Sequence, residues 1–242
     1  MKDSDWKLTV PVLTYHQVMR VRRSDIMARG LVVDANSFGY QMFILRSLGY
    51  RTVSLSDLAD ALLGKTVLPK RAVVITFDDG YEGTYRAAFP ILQRYGFTGT
   101  LFLIAEDFCG HAKSENKRAF PILTHQQVFE MINNGFHIGS HSVSHARLTE
   151  LPVSQEQSEI ESSKKILEDR FGCALTAFCY PYGLHSRDME KRVEQAGYAS
   201  GCSIRFGRHH RPADRFVLKR IAVGRDQGLI PFLYRLRWAR DE

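Results

Sequence analysis

The sequence predicts an α/β protein: a single-domain distorted (β/α) barrel with about seven or eight parallel strands, spanning residues 1–242. Three observations carry that expectation. Short apolar runs alternate with longer amphipathic ones, the pattern of repeated βα units. No series of hairpin signals joins the apolar runs, so successive strands run parallel through helical crossovers. The 242 residues, 44% hydrophobic and 24% charged, hold no Gly/Ser/Pro-rich linker, low-complexity tract or repeat that would divide them.

Taken in order, the strands are expected at Leu8–Tyr15, Arg51–Val53, Ala72–Phe77, Thr98–Ile104, Phe136–Gly139, Thr176–Tyr180, Ala199–Ser203 and Val217–Val223. Each is short, rich in β-branched or aromatic residues and bounded by turn formers. Helices are expected between them at Ser37–Leu48, Ser56–Leu63, Gly83–Tyr95, His125–Asn133, Ser154–Phe171 and Asp188–Ala196. Asn36 or Ser37, Ser56, and Ser154 with Gln157 read as N-terminal caps. Gly49, Gly96, Gly135, Gly172 and Gly197 read as helix ends, because glycine accepts the left-handed conformation found there. Pro90 should kink or divide the third helix, having no N–H to give.

The most informative run is Ala72 to Gly80, AVVITFDDG. An apolar strand ends there in two adjacent carboxylates, which repel one another and need a cation, a shared proton or good solvation. Downstream, His141 and His145 stand four apart, which brings both imidazoles to one face if the loop makes a helical turn. Two neutral histidines and one aspartate form a three-ligand set that leaves an open position for water. The other aspartate would then be free to act as a base. His16, Asp78, Asp79, His141, His145 and Tyr182 all follow the C-terminal ends of different predicted strands, the face on which parallel barrels gather their chemistry. His125, His137, His185, His209 and His210 have no such joint placement and read as surface or structural. A two-histidine, one-carboxylate set also occurs in iron oxygenases on all-β scaffolds, against which the βα alternation counts.

The chain resembles the metal-dependent polysaccharide deacetylases, the NodB-homology or family 4 carbohydrate esterases. The residues that carry the resemblance are TFDDG at 76–80, HSVSH at 141–145 and FCYPYG at 178–183, in order. Upstream, VLTYH at 12–16 and FILRSLGYR at 43–51 look like the leader of the exopolysaccharide-associated branch. The resemblance implies one catalytic domain over 1–242, acting on an N-acetylated glycan. It also implies a divalent metal, Zn2+ ahead of Co2+, Ni2+ or Fe2+, held by Asp79, His141 and His145. Asp78 would be the base, Tyr182 would stabilise the oxyanion through its backbone N–H, and Tyr182 and Pro181 would line the sugar site.

Two departures from the family pattern stand out. Many relatives carry Arg at the position of Cys179 to hold the catalytic Asp, and a late Leu-x-His motif that supplies the acid; neither is evident here. Arg220, within VLKRIAV at 217–223, is a candidate substitute for the missing Arg. For the acid the candidate is His16, since a related branch with rearranged motif order supplies this histidine early. The reading is therefore a hydrolase that removes acetyl groups from N-acetylated sugars. The alternatives are a same-fold hydrolase of another acyl or cyclic amide, allantoin-type, and a noncatalytic glycan-binding protein.

A net charge of +7 invites a polyanion partner, yet no nucleic-acid-binding motif interleaves aromatics with the basic residues, and none is expected to bind. The basic residues cluster late, from Arg205 to Arg220 and from Tyr234 to Arg240, and read as a solvated surface. Leu229, Phe232, Leu233 and Leu236 have helical spacing, so the tail is expected to dock on the barrel ahead of any peripheral membrane contact. No run approaches the 18 or more apolar residues of a transmembrane helix, and Met1–Lys7 does not read as a signal peptide; the location expected from this is cytoplasmic, with export as the alternative. Cys109, Cys173, Cys179 and Cys202 lack paired spacing and read as separate thiols.

Overall fold

The computed structural model describes residues 6–21, 30–109, 120–224 and 228–238. The basic end of the chain at Arg240 and the residues Met1–Asp5, read above for a signal peptide, lie outside them. Seven parallel strands close a barrel in chain order: β1 (Val12–Tyr15), β2 (Ala72–Phe77), β3 (Thr100–Leu103), β4 (His137–Ser140), β5 (Ala177–Cys179), β6 (Ser200–Phe206) and β7 (Leu218–Ala222). Closure comes from β1, which pairs with β2 through Val12 and Val74 and with β7 through Leu13 and Ile221. The expected second strand is a short stub, Arg51–Thr52, beside the start of β2 and outside the closed ring.

Alternation along β1 and β2 sorts side chains into two cores. Leu13, Tyr15, Val73, Ile75 and Phe77 face outward and pack with the helices. Val12 and Val74 face inward, with Ala177, Cys179, Cys202 and Leu218. The barrel is filled, not hollow. Phe102 occupies its middle, and Gly139 opposite makes room, since a Cβ there would stand 2.6 Å from the Phe102 ring and 2.8 Å from the Ala177 carbonyl oxygen. The helix α2 (Leu55–Leu62) plugs the end where the strands begin, contributing Leu55, Leu58 and Leu62 to the inner core. Polar inward residues, Thr14, Thr76, Asp78 and Arg220, are thereby concentrated at the other end.

Six further helices complete the shell: α1 (Ala35–Ser47), α3 (Phe89–Tyr95), α4 (His125–Asn133), α5 (Val153–Phe171), α6 (Arg187–Gln195) and α7 (Leu229–Trp238). The third expected helix is divided as Pro90 requires, into a wide turn at Thr84–Ala88 and α3. Several caps differ from expectation. Asp34, not Asn36 or Ser37, caps α1, and Ser54, not Ser56, caps α2 in a reciprocal box with Asp57. No side chain caps α5, whose N-cap position is Pro152. The C-terminal glycines Gly96 and Gly172 are left-handed as expected.

The expected first strand is broken. Pro11 cannot donate to a ladder, and Leu8–Thr9 turns away to pair antiparallel with His209–His210 while Val12–Tyr15 enters the barrel. A second small parallel pair, Gln17–Met19 with Val32–Asp34, was not foreseen. Phe232 and Leu236 of α7 enter the outer core with Phe38, Met42 and Leu45 of α1, so the tail docks on the barrel wall. The late basic cluster is not wholly a solvated face. Arg220, Lys219 and His210 are buried, and Arg215 pairs with Glu194 at 2.7 Å. All four cysteines are free thiols, and no described helix is long and apolar enough to cross a membrane.

Candidate active site

An open cleft of about 410 Å³ sits over the C-terminal ends of the strands. His16, Asp78, Asp79, His141, His145, Tyr182 and Arg220 all line it, carried there by five different strands or the loops that follow them. His125, His137, His185, His209 and His210 do not. His185 binds Glu190 at 3.0 Å, and the His210 Nε2 meets the Val10 carbonyl at 2.9 Å.

The backbone separates the two adjacent aspartates. Asp78 continues β2, whereas Asp79 takes a left-handed conformation (φ 69°) followed by Gly80 (φ 67°), so the carboxylates turn to different partners. Both oxygens of Asp78 accept from Arg220, Nη1 to Oδ1 and Nη2 to Oδ2, each at 2.8 Å. The guanidinium is itself fixed, its Nε donating to the Ser203 carbonyl at 2.8 Å and Nη1 reaching Thr76 Oγ1 at 3.4 Å. Burial works against the charge on Asp78, but Arg220, His16 and His141 outweigh it and hold the carboxyl well below the usual carboxylate range. The Cys179 thiol stands 3.7 Å from Asp78 Oδ2, where a longer cationic side chain would compete with Arg220 for the same oxygens. The His16 Nε2 lies 4.0 Å from Asp78 Oδ2.

Asp79 turns instead to the histidines. Its Oδ1 lies 3.5 Å from the Nε2 atoms of both His141 and His145, and the three ligand atoms stand within 4.8 Å of one another. Two ligands at about 2.0–2.2 Å from one tetrahedral ion stand about 3.4 Å apart, so this spacing fits a shared cation better than direct hydrogen bonds. The His141 Nδ1–H donates to the Cys179 carbonyl at 2.7 Å, which leaves the Nε2 lone pair facing Asp79. Burial pushes the His141 imidazole below its usual range despite the nearby carboxylates, favouring the neutral ring that a metal requires. A second cluster, Asp78, His141 and Cys179, fits a cation less well. Asp78 is engaged by Arg220, and burial raises the Cys179 thiol far above its ordinary value, so it stays protonated.

The loop 141–145 is not the helical turn that the four-residue spacing suggested. Ser142 (φ 65°) and His145 (φ 60°) are left-handed, and Ser142 Oγ accepts the His145 N–H at 3.0 Å, so a tight irregular turn brings the rings to 4.7 Å. Among the described residues, the non-glycine residues with positive φ are Asp79, Ser142, His145 and Tyr182; three line this cleft and Ser142 is buried directly behind it, next to His141. Each costs about 1–3 kcal/mol that the surrounding structure must offset, a concentration of strain typical of functional sites.

Tyr182 (φ 58°) sits in the turn Pro181–Gly183, half-exposed, its ring edge-on to His145 at 4.7 Å and the Arg147 guanidinium 5.2 Å from the ring centroid. Pro181, grouped with Tyr182 as sugar-binding, is buried and does not line the cleft. Its ring sets the first residue of the turn, and only Tyr182 projects from it. Tyr81, Leu31 and Ile204 line the rim and were not singled out from the sequence. Tyr81 follows the aspartate pair directly; Leu31 and Ile204 carry no local signal, being brought in by the barrel.

Carboxylates and imidazoles gathered at the mouth of a parallel barrel place this chain among barrel proteins built around a reactive cleft. Comparison with known proteins narrows the class: the chain belongs to the polysaccharide deacetylase family, whose sequence pattern matches residues 65–201, more than half of the chain. That stretch includes Asp78, Asp79, His141, His145 and Tyr182 but neither His16 nor Arg220. A Bacillus subtilis protein, YxkH, assigned by name to the polysaccharide deacetylases, is 31% identical over 88% of this chain and 71% of its own length. The poly-beta-1,6-N-acetyl-D-glucosamine N-deacetylase of Staphylococcus aureus is 28% identical over 88% of this chain and 78% of its own. Among solved structures, the Streptococcus pyogenes deacetylase PplD, determined with acetate, shares the fold with a TM-score of 0.85, at 24% identity, over 96% of this chain and 100% of that one.

Proposed function

We propose that this chain is a metal-dependent hydrolase that removes acetyl groups from N-acetylated sugars in an oligo- or polysaccharide. The observation that carries the reading is the division of labour between neighbouring aspartates: Asp78 is clamped by Arg220, while Asp79 faces His141 and His145. Asp79, His141 and His145 would hold a divalent cation, zinc first, with cobalt, nickel or iron as alternatives. Bound there, it would supply Lewis acidity toward the acetyl carbonyl and make a water acidic near neutral pH.

The chain's own residues supply the rest. Asp78, ionised and oriented by two hydrogen bonds, accepts the proton of the attacking water. The backbone N–H of Tyr182 donates to the oxyanion that develops on the acetyl oxygen, and its exposed ring offers a face to the sugar. The departing nitrogen must be protonated, because an amide anion is too basic to leave; His16, across the cleft beside Asp78, donates that proton. The products are a free amine on the sugar and acetate.

The Staphylococcus aureus relative makes poly-N-acetylglucosamine the first polymer to test. Acetate release is measured on N-acetylglucosamine oligomers, acetylxylan and peptidoglycan, after chelation and again with zinc restored. Zinc-dependent release from an N-acetylated glycan is expected. Oligomer binding without release from any substrate would leave a glycan-binding protein, and ring-opening of a cyclic amide such as allantoin, with no acetate released from any glycan, would favour the allantoin-type reading.

A further inference from the structure

The loop that carries His145 is held from outside the cleft by a residue of α5. Glu159 Oε2 accepts the N–H groups of Val143 at 2.8 Å and Ser144 at 2.9 Å, and Oε1 accepts the Ser144 hydroxyl at 2.7 Å. Consecutive N–H groups after a left-handed residue form a small concavity that suits an anion, and Ser142 is that left-handed residue. On the opposite side, the carbonyls of Ser142 and Val143 accept from the Ala105 and Glu106 N–H groups at 3.1 and 3.0 Å. One helical turn beyond Glu159, on the same face of α5, Ser163 Oγ meets Ser140 Oγ at 2.6 Å, and Ser140 Oγ accepts the Ser142 N–H at 3.2 Å. Of the five backbone groups between the two histidines that these bonds reach, two are held by Glu159 of α5, two by Ala105 and Glu106, and one by Ser140, itself bonded to Ser163 of α5.

We infer that Glu159 is a positioning residue of the candidate metal centre, acting through the backbone at 143–144 to hold His145 in its left-handed conformation against Asp79. The inference rests on the metal reading above. The two histidines differ in what holds them. His141 follows β4 directly and is locked through Nδ1 to the Cys179 carbonyl. His145 lies at the far end of a turn whose middle is tied to Glu159. Without that carboxylate, the N–H pair loses its acceptor and His145 (φ 60°) is released to relax toward negative φ, which swings its ring away from Asp79 Oδ1.

Zinc affinity of the chelator-stripped protein, read by competition with a chromogenic chelator, tests this. Glu159→Ala is expected to bind zinc roughly 10–100-fold more weakly, the scale seen when a group supporting metal ligands is removed. Glu159→Gln, whose amide oxygen still accepts from both N–H groups, recovers most of the loss. Were Glu159 only a brace for the fold, Glu159→Ala would melt earlier yet bind zinc as the wild type does, and that result overturns the inference. If Glu159→Ala does not fold, Glu159→Asp carries the same test, since its shorter arm withdraws the oxygens from the N–H pair while keeping the charge; wild-type affinity there is equally fatal. Wild-type protein and His141→Ala are titrated alongside. A wild type that takes up no zinc overturns the metal reading and this one with it, whereas wild-type binding lost in His141→Ala but unchanged in Glu159→Ala overturns this one alone.

Discussion

Arg220 grips Asp78 through two parallel hydrogen bonds of 2.8 Å, although 142 residues separate them in the chain. Both are buried in the barrel mouth, and planar two-point contact of this kind fixes orientation as well as charge. Arg220→Met should destabilise the protein by about 3–5 kcal/mol, the usual cost of stranding one partner of a buried ion pair. The double change Arg220→Met with Asp78→Asn should recover much of it. Thermal unfolding of Arg220→Met and of the double variant checks this; equal melting of the two would contradict the pairing.

The two aspartates should respond differently to the loss of their charge. Asp78→Asn is expected to keep its metal and to lose deacetylation by roughly 10² to 10⁴-fold, the scale of positioned acid–base catalysis. Asp79→Asn should lose metal. Metal content by elemental analysis, alongside acetate release, decides between this and the reverse assignment.

Asp79→Ala, His141→Ala and His145→Ala should each bind far less divalent metal while remaining folded, since three protein ligands leave little redundancy. Folding is monitored by circular dichroism and metal by stoichiometry on the folded fraction. Full occupancy in all three would sink the proposed centre.

His16→Ala should leave metal content unchanged and reduce turnover on acetamides more than on aryl acetates. A phenolate leaves without a proton, whereas an amine does not, so the contribution of an acid shrinks with the ester. Equal losses on both substrates, or none on either, would make His16 a structural neighbour of Asp78 instead.

Gly139→Ala tests the packing of the barrel interior. The added methyl would press on the Phe102 ring and the Ala177 carbonyl, and overpacking of this kind costs about 1–3 kcal/mol. Phe102→Leu in the same chain should relieve part of it. Denaturant midpoints of the single and double variants measure the coupling, and additive losses would mean that the two side chains do not compete for space.

Much of this protein was legible before folding was considered. Alternation of apolar runs with amphipathic ones determined a parallel barrel, because period-2 and period-3.6 burial leave their marks in neighbouring residues. Strand ends also showed which side chains could share a face, and His16, Asp78, Asp79, His141, His145 and Tyr182 do share the cleft. Pro90 signalled its own break in the third helix through a missing N–H. What tertiary structure alone decided has a common cause: the contact joins residues far apart in the chain, or joins a side chain to backbone, and neither produces a periodic pattern. Arg220 stands out in the sequence only as a candidate for the arginine missing at Cys179, and nothing local there places its side chain; the barrel turns it inward onto Asp78. Glu159 sits in a charged helix whose sequence says nothing of the N–H groups it accepts. Pro181 lies beside Tyr182 in sequence yet is buried, because the left-handed turn sends only the tyrosine into the cleft. The approach of His141 to His145 likewise depends on two left-handed residues, Ser142 and His145, whose turn is held by the Ser142 hydroxyl on the His145 N–H and by bonds to elements distant in the chain.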